Sequence, residues 1–392
     1  MALIIPEKIS EILEDVITIR REIHRNPEIG FELPKTSALV KKELSAYGVD
    51  EIICAGKSSV VGTIRGKKGP GKCIGLRCDM DALPVLEETG LSFCSLTPGA
   101  MHACGHDLHT AMMLGIARTL CDMRDKFSGT VKVIFEAGEE TQPGGAIGII
   151  ESGAVDDVDA FFATHVIPSD DNVGLIGIRK GAVTTSADEV KIKIHGKSSH
   201  GSQPQNANDA ILAATQINLL LQQIQARNIS PLDTCILSMN LIQGGAAINI
   251  IADYCYMEGA LRAYTQEART IATEKIREIC KGIETLSGCK IDANISLGYD
   301  ACYNDEDLVD LITGTLGEEN YYILKEPMSF SEDYSFFGTK TGKPSVLMFL
   351  NAGHAPGMKV SVLHRSDCTF DEDAMKYGMA AIVNSALAFL KE

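Results

Sequence analysis

Between positions 102 and 109 the chain reads His-Ala-Cys-Gly-His-Asp-Leu-His, so three imidazoles, a thiol and a carboxylate fall within eight residues. Cys104 and His106 are two apart and do not share one face of a regular helix. In a turn leading into a helix that begins near Leu108, they converge on one ion. Thiolate with imidazole suits zinc and other borderline transition metals. Asp107 stands next to them to orient a ligand through a hydrogen bond. The alternative is a polar helix cap with a buried thiol, which the density of donors disfavours. A second constellation is Phe135-Glu136-Ala137-Gly138-Glu139-Glu140, where a β run ends and two adjacent acids follow in a turn. Alone, such acids point into water. Beside a cation, one ligates while its neighbour takes a proton from water that the cation has acidified toward a pKa of about 7. His165 directly follows the apolar run Phe161-Phe162-Ala163-Thr164, and His364 sits in a polar turn after Val362-Leu363. Glu140 and His165 are expected just past strand ends, the edge where open α/β sheets build their sites. Cys104, His106, Glu140, His165 and His364 make five donors, one more than a closed tetrahedral structural site uses. Sulfur, nitrogen and oxygen donors in that number fit two bridged ions, which points to catalysis rather than stapling.

The elements that must position these residues follow from the spacing of apolar side chains. Ile9, Ile12, Leu13, Val16, Ile19 and Ile23 form one helical stripe over 6–24 that stops before Pro27. A second helix is predicted over 35–47, with Gly48 as its stop. Strands are predicted over 59–65, 73–78, 130–135 and 158–163, with a helix over 108–123 between the second and third. This alternation gives an α/β layered domain with a largely parallel sheet flanked by helices. After Gly181 the pattern changes. Strand 189–194, helix 208–227 capped by Asn208, strands 234–242 and 253–263, helix 265–286 capped by Thr265, and strand 290–297 give the order β-α-β-β-α-β. That is a ferredoxin-like α+β unit. Helix and strand signals resume at 306–316, 345–350 and from 371 onward. The expected organisation is a catalytic domain of 1–186 and 299–392, interrupted by an inserted lid of 187–298.

Composition narrows the function classes. The 392 residues carry 36 Lys plus Arg against 52 Asp plus Glu, a net charge of −16, and 45% are hydrophobic. Such a charge opposes a basic footprint for nucleic acid or a polybasic membrane patch. No apolar run approaches the roughly 18 residues that span a bilayer. Residues 1–5 are apolar but give way at once to Pro6, Glu7 and Lys8, so no export signal is expected. Twelve scattered cysteines without a CxxC pair fit a reducing cytoplasm with buried thiols.

Taken together, the motifs resemble the metal-dependent amidohydrolases that cleave N-acyl amino acids: the aminoacylase, hippurate hydrolase, auxin-conjugate hydrolase and carboxypeptidase group. The likeness runs nearly end to end. It covers Arg21-Glu22-Ile23-His24-Arg25-Asn26-Pro27-Glu28, Leu76-Arg77-Cys78-Asp79-Met80-Asp81-Ala82-Leu83-Pro84, the His102–Asp107 segment and the Glu139-Glu140 pair. In the smaller domain it covers Ser199-His200-Gly201-Ser202-Gln203-Pro204, Gly244-Gly245 with Asn249-Ile250-Ile251-Ala252-Asp253, and Gly259-Ala260-Leu261-Arg262; near the end, Ser331-Glu332-Asp333-Tyr334.

The resemblance implies that Cys104, His106, Glu140, His165 and His364 hold two divalent cations, zinc first, with manganese, cobalt or nickel as alternatives. It implies Glu139 as general base, with Asp81 and Asp107 steadying the ligands from behind. His200 would hydrogen-bond the oxyanion, while Asn249 and Arg262 grip the substrate's carboxylate. The implied reaction is hydrolysis of the amide of an N-acyl-L-amino acid, N-acetyl or N-benzoyl. The alternative is a metallo-dipeptidase or carboxypeptidase acting on short peptides. A homodimer through the lid, or a larger homo-oligomer, is the implied assembly. Four positions depart from the pattern: Ala137 and Gly138 stand where Pro-Ala is usual, Gln205 where His is common, and Ala252 where Pro is. Two rivals lie outside metal-assisted hydrolysis. A non-catalytic binding protein on this fold predicts a lost ligand or base, and neither is lost. A thiol hydrolase would use Cys104 with His106.

Overall fold

The computed structural model describes residues 3–169 and 172–391; Met1 and Ala2, which begin the apolar start, lie outside them. The chain divides into two compact units. One comprises Met1–Val183, Tyr303–Pro327 and Asp333–Glu392, the other Thr184–Cys302 and Met328–Glu332.

In the first unit the helix Glu7–Arg25 buries Ile9, Ile12, Val16 and Ile23 along one stripe and ends at Asn26, before Pro27. The next helix, Pro34–Ala46, opens on a proline. Two of its free N–H groups, those of Lys35 and Thr36, donate to the Glu28 carboxylate at 3.1 and 2.9 Å. That bond satisfies donors which no helical carbonyl reaches. Eight strands form a mixed sheet in the spatial order Glu51–Cys54, Val60–Arg65, Thr130–Glu136, Cys73–Asp79, Ala160–Ile167, Ser345–Asn351, Ile176–Ile178 and Tyr321–Ile323. The four from Thr130–Glu136 to Ser345–Asn351 run parallel, so their C-terminal ends share one edge. Every residue of Cys73–Asp79 and of Ser345–Asn351 is buried, as parallel strands covered on both faces require.

Two differences from expectation bear on the site. The strand predicted over 158–163 spans Ala160–Ile167, so His165 lies inside it rather than past its end. Its continuation is paid for by the parallel ladder with Ser345–Asn351, a partner that local spacing does not reveal. The helix expected from Leu108 begins at His106, because Gly105, at φ 87°, turns the chain directly into it. A side chain at 105 is excluded twice over, since a Cβ there would meet Val166 Cγ2 at 2.4 Å.

The second unit is a four-stranded antiparallel sheet in the order Cys235–Gly244, Tyr254–Ala263, Asp188–His195, Lys290–Leu297, with its helices between. This is the split β-α-β-β-α-β arrangement. Thr265 caps Gln266–Ser287 by accepting from the Ala268 N–H. The expected cap Asn208 is displaced by Asp209, whose Oδ1 accepts from Ile211 and Leu212 at 2.9 and 3.0 Å. Asn208 is held one residue too early, in an antiparallel bridge with Lys197. The expected single helix 208–227 is two, Ala210–Leu221 and Gln223–Asn228. Met328–Glu332, expected in the catalytic domain, groups with this unit because the Thr185 N–H donates to Phe330 O at 3.0 Å. No helix among the described residues is long and apolar enough to cross a membrane.

Buried Arg269 braces the second unit. Its Nε donates to Asp188 Oδ2 at 2.9 Å, and its Nη atoms pair with Asp188 and Asp300. Removing one partner of a buried pair leaves the other charged and unpaired. Arg269→Leu is therefore expected to destabilise this unit by about 3–5 kcal/mol. The check is the urea midpoint, and an unchanged midpoint would refute the brace.

Candidate metal centre

All five expected donors and Glu139 lie in the first unit, and the fold brings them together. Three overlapping groups, each with ligand atoms within 4.8 Å of one another, are Cys104–His106–His165, Cys104–Glu140–His364 and His106–Glu139–Glu140. Cys104 Sγ lies 3.4 Å from His165 Nε2 and 3.3 Å from His364 Nε2. His364 Nε2 lies 3.0 Å from Glu140 Oε1.

Each donor is aimed by its surroundings. His106, at the start of its helix, places Nδ1 2.9 Å from Asp81 O. A carbonyl only accepts, so Nδ1 carries a proton and Nε2 is the nitrogen left facing the cluster. His165 is fixed the same way by Val166 O at 2.7 Å. The Asp81 carboxylate holds the acidic turn: Oδ1 accepts from Glu139 N at 3.0 Å and Oδ2 from Glu140 N at 3.1 Å. Glu140 stands four residues beyond the end of Thr130–Glu136, so this clamp rather than the strand positions it. Gly138 occupies φ 88°, and a Cβ there would meet the Phe31 ring at 2.4 Å; that accounts for glycine in the Ala137-Gly138 departure. His364, the one half-exposed donor, has φ 68°, and its N–H donates to Ala103 O at 3.0 Å.

The electrostatics describe a cluster short of positive charge. Burial opposes charging of His106, but Asp79, Asp81 and Glu140 outweigh it and raise its pKa to about 10. Burial, reinforced by Glu140, Glu139 and Asp79, pushes the Cys104 thiol well up. Burial with neighbouring His109 holds His165 well below the usual imidazole range. Burial alone would raise Glu140, yet His364 and His106 keep it below the usual carboxylate range. His106 Nε2 is buried without a hydrogen-bond partner, while Glu140 Oε1 faces His364 Nε2 at 3.0 Å. An unpartnered buried ring nitrogen beside a thiol and a carboxylate fits a transition-metal cation. A coordinated thiol is deprotonated outright, which the protein alone opposes here. The same opposition counts against Cys104 as a thiolate nucleophile, and its contacts run to His165 and His364.

Three expectations need correction or extension. Asp107 makes no hydrogen bond to a donor of the cluster. Its Oδ2 accepts from Arg20 Nε at 2.7 Å and from His24 Nδ1 at 2.8 Å. Successive helix residues point about 100° apart, so Asp107 faces away from where His106 aims. Asp79, Arg77 and His109 form a buried network behind the cluster, to which the motifs assign no part. The signal was present, since Asp79 opens the Asp-Met-Asp motif and His109 closes the His-rich one. His200, Asn249 and Arg262 belong to the second unit. There the Gly201 N–H donates to Asn249 O at 2.8 Å, His200 Nδ1 pairs with Ser202 Oγ at 2.8 Å, and Arg262 Nη1 donates to Leu261 O at 3.1 Å.

Comparison with known proteins supplies relatives. The profile of the family described as Peptidase family M20/M25/M40 matches residues 75–388. Thermostable carboxypeptidase 2 of Saccharolobus solfataricus is 35% identical over 97% of both chains. The hippurate hydrolase of Campylobacter jejuni is 34% identical over 99% of this chain and 100% of its own length. A solved Bacillus subtilis protein, described as a dinuclear metal binding peptidase from the M20 family, superposes with a TM-score of 0.83 at 28% identity, covering 97% of this chain and 99% of that one.

Asp81→Ala removes both carboxylate clamps on the acidic turn while leaving the backbone carbonyl to His106. It is expected to weaken zinc binding by about 10–100-fold, measured by competition with a chromophoric chelator. Unchanged affinity would remove Asp81 from the positioning role.

Proposed function

The chain belongs to peptidase family M20/M25/M40 and is a hydrolytic enzyme, and within that family we propose that it hydrolyses the amide bond of N-acyl-L-amino acids, of the N-acetyl or N-benzoyl type. The observation that carries this reading is a donor set from four separated segments with one further buried carboxylate, Glu139, beside it. Cys104, His106, Glu140, His165 and His364 would hold two divalent cations, zinc first, with manganese, cobalt or nickel as alternatives. When bound, such a pair polarises the scissile carbonyl and acidifies water toward a pKa of about 7.

The chain's own residues supply the rest. Asp81 holds the Glu139-Glu140 backbone, so the Glu139 carboxylate is presented from a fixed turn. Glu139 takes a proton from the attacking water and returns it to the departing amine nitrogen. His200 donates to the developing oxyanion. Arg262, whose planar fork suits a carboxylate, and Asn249 hold the substrate's free acid group. No disulfide joins the described cysteines, which supports a reducing, cytoplasmic setting. The second reading, cleavage of dipeptides or of peptide C-termini, is supported by the carboxypeptidase named among the relatives.

A homodimer through the second unit is the proposed assembly. Cys235–Gly244 is an edge strand, and Ile236, Leu241 and Ile242 on it are exposed. An exposed edge with apolar side chains is a template for pairing with a second copy. Ile242→Lys is expected to shift the sedimentation coefficient to that of a monomer; a monomeric unchanged chain would refute this assembly.

Glu139→Gln is expected to keep zinc stoichiometry while losing about 10²–10⁴-fold in turnover. Near-normal turnover would take the base role from Glu139. Initial rates of the zinc-loaded enzyme on N-acetyl and N-benzoyl amino acids, beside dipeptides, decide between the two substrate readings: faster dipeptide cleavage favours the second.

A further inference from the structure

Behind the donor cluster lies a set of buried side chains that the proposed mechanism does not use. Arg77 donates from Nη1 to Asp79 Oδ2 at 2.7 Å, from Nε to Glu136 Oε2 at 2.7 Å and from Nη2 to Asp333 Oδ1 at 2.9 Å. The other oxygen of Asp79, Oδ1, lies 2.6 Å from His109 Nδ1. The Val166 N–H donates to His109 Nε2 at 2.8 Å. Val166 O in turn lies 2.7 Å from Nδ1 of His165, whose Nε2 is 3.4 Å from Cys104 Sγ. The two imidazoles meet edge-on, with centroids 4.7 Å apart.

This chain of bonds admits one arrangement of protons. A backbone N–H can only donate, so His109 Nε2 carries a lone pair and Nδ1 the proton given to Asp79. A carbonyl can only accept, so His165 is protonated at Nδ1 and offers Nε2 to the cluster. The Val166 N–H belongs to the peptide bond that follows His165, so His109 grips the main chain that carries this donor. Asp79 is itself gripped by Arg77, and both it and His109 are buried.

We propose that His109, oriented by Asp79, is a positioning residue: it pins the backbone at Val166 so that His165 presents an unprotonated Nε2 toward Cys104. The inference rests on the reading of His165 as a cation ligand. Arg77 completes the relay by fixing the Asp79 rotamer, and the same guanidinium ties in Glu136, at the end of the strand that leads to the Glu139-Glu140 turn. One buried cation thereby couples two of the segments that carry the site.

The test is long-range ¹⁵N–¹H spectroscopy of the histidine rings in the cation-free protein. Both His109 and His165 are expected as pure Nδ1–H tautomers in the unchanged chain. In His109→Leu, which has no ring polar atoms, His165 is expected to populate the Nε2–H form, and zinc affinity to fall by about 10–100-fold. His109→Gln, whose amide offers both N–H donors and a carbonyl acceptor, is expected to restore the Nδ1–H form and most of the affinity. An Nε2–H signal on either ring of the unchanged chain overturns the proposal, and this holds even if the leucine variant fails to fold. So does a folded His109→Leu with the His165 tautomer and zinc affinity unaltered. Zinc uptake by the unchanged chain tests the metal reading separately, because the tautomers are read without any cation.

Discussion

The arrangement depends on a surplus of buried negative charge at one edge of a parallel sheet. Asp79 and Glu136 end adjacent strands, directly paired across the ladder, and Asp81, Glu139 and Glu140 follow within a few residues. Burying carboxylates is expensive unless each is paired or hydrogen-bonded. Arg77 offsets part of the charge by reaching Asp79, Glu136 and Asp333. Backbone N–H groups offset more at Asp81. The remainder shows in the neighbours: His106 is driven toward its protonated form and Cys104 away from its thiolate. Both displacements have one electrostatic cause, and both are relieved by positive charge placed among the donors.

The fold concentrates these groups because four parallel strands end on the same edge. Chain segments far apart in sequence, ending near 79, 136, 167 and 351, are thereby delivered side by side. The helix beginning at His106 adds two donors from its first turn and the residue pair before it. The loop after Ser345–Asn351 adds His364. None of these segments could hold the site alone, which is why the donors are dispersed along the chain and dense in space.

Much of this was legible in the sequence. The apolar stripe of 6–24, the strands near 73 and 130, and the β-α-β-β-α-β order after Gly181 all rest on local periodicity, and local periodicity is what a sequence displays. The donor list was legible because its residue types are rare in such density. What was not legible depends on partners distant in sequence. The extension of strand Ala160–Ile167 through His165 needs Ser345–Asn351 beside it. The choice of Asp209 over Asn208 as a cap follows from a bridge to Lys197. Asp107 turned out to serve Arg20 and His24 because a helix separates adjacent side chains by a fixed angle, and no motif states which of two neighbours faces inward. The role of Asp81 was inferred from resemblance, but its double acceptance from Glu139 and Glu140 N–H requires coordinates.

His364 holds its ring in place through a left-handed backbone, a conformation that disfavours any side chain by about 1 kcal/mol and suits glycine. Glycine there would relax the loop and delete a donor in the same stroke. With His364 as the cation ligand proposed above, selection for a sturdier protein and selection for a working one would pull this position in opposite directions, and a library ranked by thermal tolerance alone would enrich a variant short of one ligand.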